Sequence, residues 1–365
     1  MYTKLSTVVG SVALACALGL TACTAPPQTA VSQESAAGTQ YPASGDSSAM
    51  AQTLAYLAGN PDARGKKVAY VTECAAANAY CQARLRGAQD AAKKLGMNLT
   101  VFDANFDTTT QLQQVQDAIQ RGFDGYILSP VADSPGCSNF DLLKATGKPV
   151  SNINSPMCGN PDYTEGTAGF VGMQTTGYFK EHLTNAFKSC SAACNVVAVG
   201  GFVGSDLFTR WETALKEAAK EYPNVRIVAD QPGNFDPAKA LSVVQDAMSA
   251  NARVDLVVSS WDDMTRGVEQ AVRDAGKKPG ADVRIYSVGG TAAGIAKVAE
   301  GAWTSTSVLL PYQEAYYGVA QLAKALTTGR DTPGFTYLAQ APAIKDGPGS
   351  IFITAANAGK FKAEY

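Results

Sequence analysis

The sequence is short of the groups that do chemistry. Only one of its 365 residues is histidine, His182. Ser-His-Asp, Cys-His and HExxH arrangements therefore lack their base or ligand. There is no CxxC pair and no cysteine–histidine cluster, which removes the usual spacing of a zinc site. No stretch fits GxGxxG, and Gly289-Gly290-Thr291-Ala292-Ala293-Gly294 has no P-loop lysine to neutralise a phosphate. Basic excess is missing as well: 30 Lys and Arg against 32 Asp and Glu give a formal charge of −2. That balance argues against nucleic acid or an anionic lipid surface as partner. Beyond Leu20 no apolar run is long enough to span a bilayer. On these grounds we expect no enzyme, no metal and no cofactor. His182, in Phe179-Lys180-Glu181-His182-Leu183, reads as a surface position on a helix.

What is present starts at the N-terminal end. Lys4, the apolar run from Val8 to Leu20, and Leu20-Thr21-Ala22-Cys23 form the layout of a secretory signal ending in a lipobox. The expectation is a signal peptide over 1–22 and a mature chain beginning at a lipidated Cys23. The rival reading is an ordinary signal with an incidental cysteine. Residues 24 to about 47 are rich in Ala, Pro, Gln, Ser, Thr and Gly, a composition with little to bury. We assign 23–60 to the lipidated cysteine and a flexible tether, with a short helix around Met50 to Leu57.

After cleavage of the signal about 340 residues remain, enough for two packed domains. An apolar fraction of 46% with 17% charged residues suits a soluble globular body. Besides Cys16 and Cys23 there are six cysteines, an even set that fits up to three disulfides in an oxidising compartment. Cys190 and Cys194 close a tight loop in CSAAC and are expected to pair; Cys74 with Cys81 and Cys137 with Cys158 are the next choice.

From Lys67 the chain alternates short β-branched runs with helical stripes. Strands are expected at Val68–Thr72, Leu99–Asp103, Tyr126–Ser129, Val196–Val199, Val225–Ala229, Leu256–Ser259, Arg284–Val288 and Ser305–Leu309. Leu112, Val115 and Ile119 form one helical stripe, and Leu241, Val244 and Met248 another. Such alternation implies parallel sheets covered on both faces. The chain also repeats itself. Asn105-Phe106-Asp107 with Val115-Gln116-Asp117-Ala118 recurs as Asn234-Phe235-Asp236 with Val244-Gln245-Asp246-Ala247, at an offset of 129 residues. The fold class is therefore α/β, two similar doubly wound parallel-sheet lobes. Two unrelated βα units sharing common helix residues remain the alternative.

Polar and aromatic residues recur just beyond the strand ends: Glu73, Tyr80, Asn152, Asn154, Phe208, Arg210, Phe235, Trp261 and Asp262. Ligands collect at that edge of open parallel sheets, where aromatic faces can sandwich a ring and polar groups can bond its rim. Singly, each aromatic is as well explained as core. The Asp262-Asp263 pair could bind a cation or act as acid and base; a solvated N-cap with one ligand-facing carboxylate is the better reading. The glycine-rich segment at Gly289 fits close strand-to-helix packing beside a ligand.

Over most of 66–355 the sequence resembles the type I periplasmic solute-binding proteins of ABC importers, in the ribose-binding-protein-like group. The resemblance is carried by Lys67-Val68-Ala69-Tyr70-Val71 before Asn78-Ala79-Tyr80, then Gly87-Ala88-Gln89 with Leu95-Gly96, and Gly125-Tyr126-Ile127-Leu128-Ser129-Pro130. It continues through Lys148-Pro149-Val150 and Asn234-Phe235-Asp236. It implies a three-segment hinge, with crossings near Gln174, Pro311 and Arg330. One lobe would comprise 66–174 with 311–331, the other 175–310 with 332–365. It further implies Arg210 as a sugar-binding arginine, Phe235 as a stacking aromatic, and Asp262 beside a ligand-binding asparagine.

The chain departs from that pattern in carrying Asn154-Ser155 for an Asp-Arg pair, Trp261 for asparagine, Gly289 for aspartate and Leu309 for glutamine. These changes suggest a less polar or larger ligand. The expected ligand set is Glu73, Tyr80, Asn154, Gln174, Phe208, Arg210, Phe235, Trp261, Asp262 and Gly289. The expected role is a monomeric, lipid-anchored receptor on the outer face of the cell membrane, delivering a small solute to an ABC permease. A receptor feeding a membrane signalling protein is the alternative, and a secreted enzyme a more distant one.

Overall fold

The computed structural model describes residues 47–365. The expected signal peptide, Cys16, the expected lipidation site Cys23 and most of the expected tether lie outside the described residues. Among the described residues no helix is long and apolar enough to cross a membrane.

The chain runs α1 (Ser47–Ala58), β1 (Lys67–Thr72), α2 (Ala79–Leu95), β2 (Asn98–Asp103), α3 (Thr108–Arg121), β3 (Gly125–Ser129), α4 (Asp133–Lys144), β4 (Val150–Asn154) and β5 (Phe170–Gly172). It continues through α5 (Thr176–Phe187), β6 (Cys194–Gly200), α6 (Asp206–Glu221), β7 (Val225–Pro232), α7 (Pro237–Ala250), β8 (Leu256–Ser259), α8 (Asp262–Asp274), β9 (Arg284–Gly289), α9 (Ala292–Ala299) and β10 (Ser305–Val308). Last come α10 (Pro311–Thr328), β11 (Phe335–Tyr337), α11 (Pro342–Lys345) and β12 (Phe352–Ile353).

Two six-stranded sheets result, ordered β11-β5-β4-β3-β1-β2 and β12-β10-β9-β8-β6-β7. Apart from the antiparallel edge pair β10–β12, every pairing is parallel. The two orders are the same permutation, with β6 to β10 taking the places of β1 to β5. The repeat in the sequence is therefore a repeat in space. Its physical content is a turn: Asn105 and Phe106, and again Asn234 and Phe235, adopt positive φ. Asp107 and Asp236 then cap α3 and α7 by accepting from the main-chain N–H of Thr110 and Ala238. Central strands are buried throughout, Gly125–Ser129 and Leu256–Ser259 among them, as sheets covered on both faces require.

Three expectations need correction. The chain passes between sheets after β5, after β10, and between β11 and β12; the third passage was expected near Arg330. It comes later because Phe335, Thr336 and Tyr337 pair with Phe170, Val171 and Gly172 in the first sheet. The tether was drawn to residue 60, yet Ser47–Ala58 is helix docked on α10. Gln321 Nε2 donates to Thr53 Oγ1 at 3.1 Å, and Lys324 Nζ to Gln52 Oε1 at 3.0 Å. His182 is not on the surface: it is 1% exposed, with Nδ1 2.8 Å from Ser307 Oγ. Burial holds its imidazole down to about 3, so it is neutral.

Disulfides join Cys74 to Cys81, Cys137 to Cys158 and Cys190 to Cys194. The first ties the β1–α2 turn. The second ties α4 to the loop after β4. Helices α2 and α10 approach closely because Gly87 has no side chain: a Cβ there would lie 2.0 Å from the Tyr312 carbonyl oxygen.

Candidate functional site

The C-terminal ends of β1, β3 and β4 meet those of β6, β8 and β9 across a cleft. On the first-lobe side the turn after β1 carries Glu73, and the first turn of α2, capped by Asn78, carries Tyr80. Glu73 pairs with Arg84, accepts from Ser129 Oγ, and accepts from Asn154 Nδ2 at 2.9 Å. Asn154 is held at φ +71° at the end of β4, a conformation asparagine tolerates better than most residues. Its Oδ1 accepts from the Tyr80 hydroxyl at 3.3 Å and from Gln174 Nε2 at 3.0 Å. Gln174 also donates to the Tyr80 oxygen at 3.1 Å. Four of the expected residues thus form one bonded chain, Glu73–Asn154–Gln174–Tyr80, at the hinge end of the cleft.

Arg84 underlies that chain. It is fully buried, with its guanidinium 5.3 Å from the Tyr80 ring centre and 3.5 Å from Glu314. Burial pushes the Glu314 carboxyl up to about 8, so at neutral pH it carries a proton and Glu73 is the counter-ion of Arg84.

The second lobe contributes Arg210 from α6. Its Nη1 donates to the Gln174 carbonyl at 2.8 Å and approaches Ser155 Oγ of the first lobe at 3.5 Å. Desolvation lowers its guanidinium to about 10, still charged at neutral pH. Phe208 packs over Gly200 and Phe235 over Gly201, where a Cβ would lie 2.8 and 2.6 Å from the respective rings. Phe235, Gln174, Phe179, Gly201, Leu207 and Ser260 line a cavity of about 10 Å³, room for about one water molecule. Trp261 stands at the N-cap of α8, with its ring centre 6.0 Å from that of Tyr80 across the cleft.

Two expected ligand residues are placed otherwise. Asp262, expected to face a ligand, is 2% exposed, the first helical residue after Trp261, and its carboxylate turns into the second lobe. Oδ1 accepts from Ser287 Oγ and Thr306 Oγ1, and Oδ2 from Thr291 N and Oγ1. Four donors use the acceptor capacity of a carboxylate, leaving none for a ligand. Burial still raises its pKa to about 6. Gly289 is its complement. With φ +151°, it leaves the space in which a Cβ would lie 2.7 Å from the Asp262 carboxyl, and it offers only backbone.

Several residues at the cleft escaped the sequence reading. Ser260 lines the cavity with its buried Oγ bonded to no other group, and it was findable as the residue directly after β8. Phe106 is the repeat partner of Phe235 and is 52% exposed. Arg84 and Glu314 give no signal, since both read as polar positions on amphipathic helices. Tyr365 gives none either, being 76 residues from Gly289, whose carbonyl accepts its hydroxyl at 2.9 Å. No group of three or more potential metal ligands occurs among the described residues.

Two lobes of one topology, with polar and aromatic side chains meeting between them, are the architecture of a type I periplasmic binding protein. The chain belongs to that family: the periplasmic binding protein domain family matches residues 68–331. Its relatives are substrate-binding transport proteins rather than enzymes. The ribose import binding protein of Salmonella typhimurium is 28% identical over 242 residues, covering 66% of this chain and 78% of that protein. The xylitol-binding protein of Mycolicibacterium smegmatis is 27% identical over 242 residues, 66% of each chain. Among solved structures, a solute-binding protein of Actinobacillus succinogenes with bound D-allose aligns with a TM-score of 0.69 at 20% identity, over 81% of this chain and all of that one. The fold is theirs, and these relatives carry the names or bound ligands of sugar- and polyol-binding proteins.

Proposed function

We propose that this protein is a lipid-anchored receptor that captures one sugar or polyol between its lobes and presents it to an ABC permease. The observation that carries the reading is the bonded chain Glu73–Asn154–Gln174–Tyr80, reached from the other lobe by Arg210. A carboxylate, two amides and a guanidinium offer the mixed donors and acceptors that a polyhydroxylated solute exchanges for water. Trp261, Tyr80 and Phe235 add flat apolar faces for the C–H faces of a ring. Relatives whose names or bound ligands are ribose, xylitol, D-allose and myo-inositol support this solute class.

Compared with a site built from more charged pairs, Trp261 and the inward-turned Asp262 favour a solute with one less polar face. A solute that contacts both lobes stabilises their closed arrangement, so binding energy becomes a shape the permease can read. Anchoring rests on Leu20-Thr21-Ala22-Cys23, and a tether there keeps the receptor near its membrane partner. A thermal-shift screen of ribose, xylitol, D-allose and myo-inositol tests the solute class: a binder at a hundred times its Kd adds about 2.7 kcal/mol to stability. Mass spectrometry of the membrane-extracted protein tests the anchor, with diacylglycerol on Cys23 expected; an unmodified Cys23 would rule the anchor out.

A further inference from the structure

Residues 361–365 run from the second lobe across the mouth of the cleft, and their bonds divide between the lobes. Before them a short 3₁₀ turn, Ala358–Lys360, packs on α9 of the second lobe. The Glu364 carboxylate then accepts from Tyr312 N at 2.7 Å and Gln313 Nε2 at 3.1 Å, both on α10 of the first lobe. Arg86 on α2 donates to the Glu364 carbonyl at 3.1 Å. One residue on, the Tyr365 hydroxyl donates to the Gly289 carbonyl, and Ala292 N donates to a Tyr365 main-chain oxygen at 2.9 Å, both in the second lobe. The Tyr365 ring lies between the lobes. Its centre is 6.0 Å from Trp261, with the planes 24° apart, and 5.6 Å from Tyr80, edge to face.

We infer that residues 361–365 are a strap that holds the lobes together without a solute, with the Tyr365 ring packed against both Tyr80 and Trp261 where those two rings meet across the cleft. The inference rests on that aromatic cluster being part of the solute site. The chain itself closes this part of the cleft: three rings from three separate segments contact one another, and the adjoining cavity has room for about one water molecule. Glu364 supplies the first-lobe anchor, Tyr365 the second. A solute that packs on Tyr80 or Trp261 at this place must displace the Tyr365 ring, so apparent affinity is reduced by the fraction of molecules in which the strap is seated.

Small-angle scattering of solute-free protein, purified through unfolding and refolding, tests the strap directly. Two aromatic pairs and a hydrogen bond are lost in Tyr365→Ala, which lowers the closed-to-open ratio on the order of tenfold. The wild type is expected to be compact, and Y365A to have a larger radius of gyration. Glu364→Ala, which cuts the first-lobe anchor instead, should produce the same shift. Tyr365→Phe keeps both ring contacts and stays compact. A Y365A radius equal to that of the wild type, or an open solute-free wild type, would overturn the strap. A second arm uses whichever of ribose, xylitol, D-allose or myo-inositol the wild type binds. Y365A should bind it more tightly, by up to about tenfold, and unchanged or weaker binding would refute displacement. Failure of all four solutes to bind would count against the proposed function, while the solute-free scattering would still decide the strap.

Discussion

Replacing Arg84 by methionine puts the electrostatic frame of the cleft under direct test. Arg84 is fully buried, pairs with Glu73, and donates to Thr72 Oγ1 and to the Cys74 carbonyl, each at 3.4 Å. Methionine keeps much of the volume and removes the charge. Glu73 is then a buried carboxylate with no counter-ion, since Glu314 is protonated at neutral pH. Breaking a buried pair from one side costs about 3–5 kcal/mol. Loss of the cation–π contact with Tyr80 adds about 0.5–1 kcal/mol. The expected total of about 3.5–6 kcal/mol is a large part of an ordinary domain stability of about 5–15 kcal/mol. Guanidinium unfolding at pH 7 should therefore show a lower midpoint for Arg84→Met. Most of the penalty belongs to the orphaned carboxylate, so Arg84→Met with Glu73→Gln should recover at least half of it. A loss below about 1 kcal/mol, or a double variant no better than the single, would refute this account of the cleft.

Other consequences follow from the same structure. His182 has a folded-state pKa of about 3 against an ordinary 6.5, so its neutral form stabilises the native state above pH 6.5 and that contribution is lost as pH falls toward 3. Unfolding curves of wild type and His182→Gln should diverge through this window by up to about 1.4 kcal/mol per pH unit; parallel curves would contradict the burial argument. Comparison with the variant is needed because Asp262 and Glu314, raised to about 6 and about 8, act in the opposite sense. Removing the Cys74–Cys81 bond by Cys74→Ser with Cys81→Ser should cost about 2–3 kcal/mol by loop closure and loosen the turn carrying Glu73 and Tyr80. A melting temperature unchanged by that double substitution would show the turn to be held by other contacts.

The lobes were legible in the sequence because their signal is doubled. Strand runs alternate with helical stripes, and Asn105-Phe106-Asp107 and Asn234-Phe235-Asp236 mark the same αL turn and N-cap in each half. The shortest strands were not. Phe170–Gly172, Phe335–Tyr337 and Phe352–Ile353 have two or three residues each, too few for a period to show, and their place is set by pairing. That is why the third passage between lobes was expected too early. At the cleft, the rule that functional groups follow strand ends led to Glu73, Asn154 and Trp261. It could not say which way a carboxylate turns. Asp262 faces inward because Ser287, Thr291 and Thr306, from neighbouring strands and a helix start, outbid water for its oxygens. Sequence spacing carries no trace of that competition, nor of Tyr365 meeting Tyr80 from the far end of the described chain.

Titration calorimetry of ribose, xylitol, D-allose and myo-inositol against wild type, Trp261→Ala and Arg210→Ala tests the central claim most directly. The account predicts that at least one solute binds the wild type at one per chain. Each substitution should weaken that binding tenfold or more, about 1.4 kcal/mol. Binding by none of the four, or binding that both variants retain at wild-type strength, would contradict a solute site between the lobes.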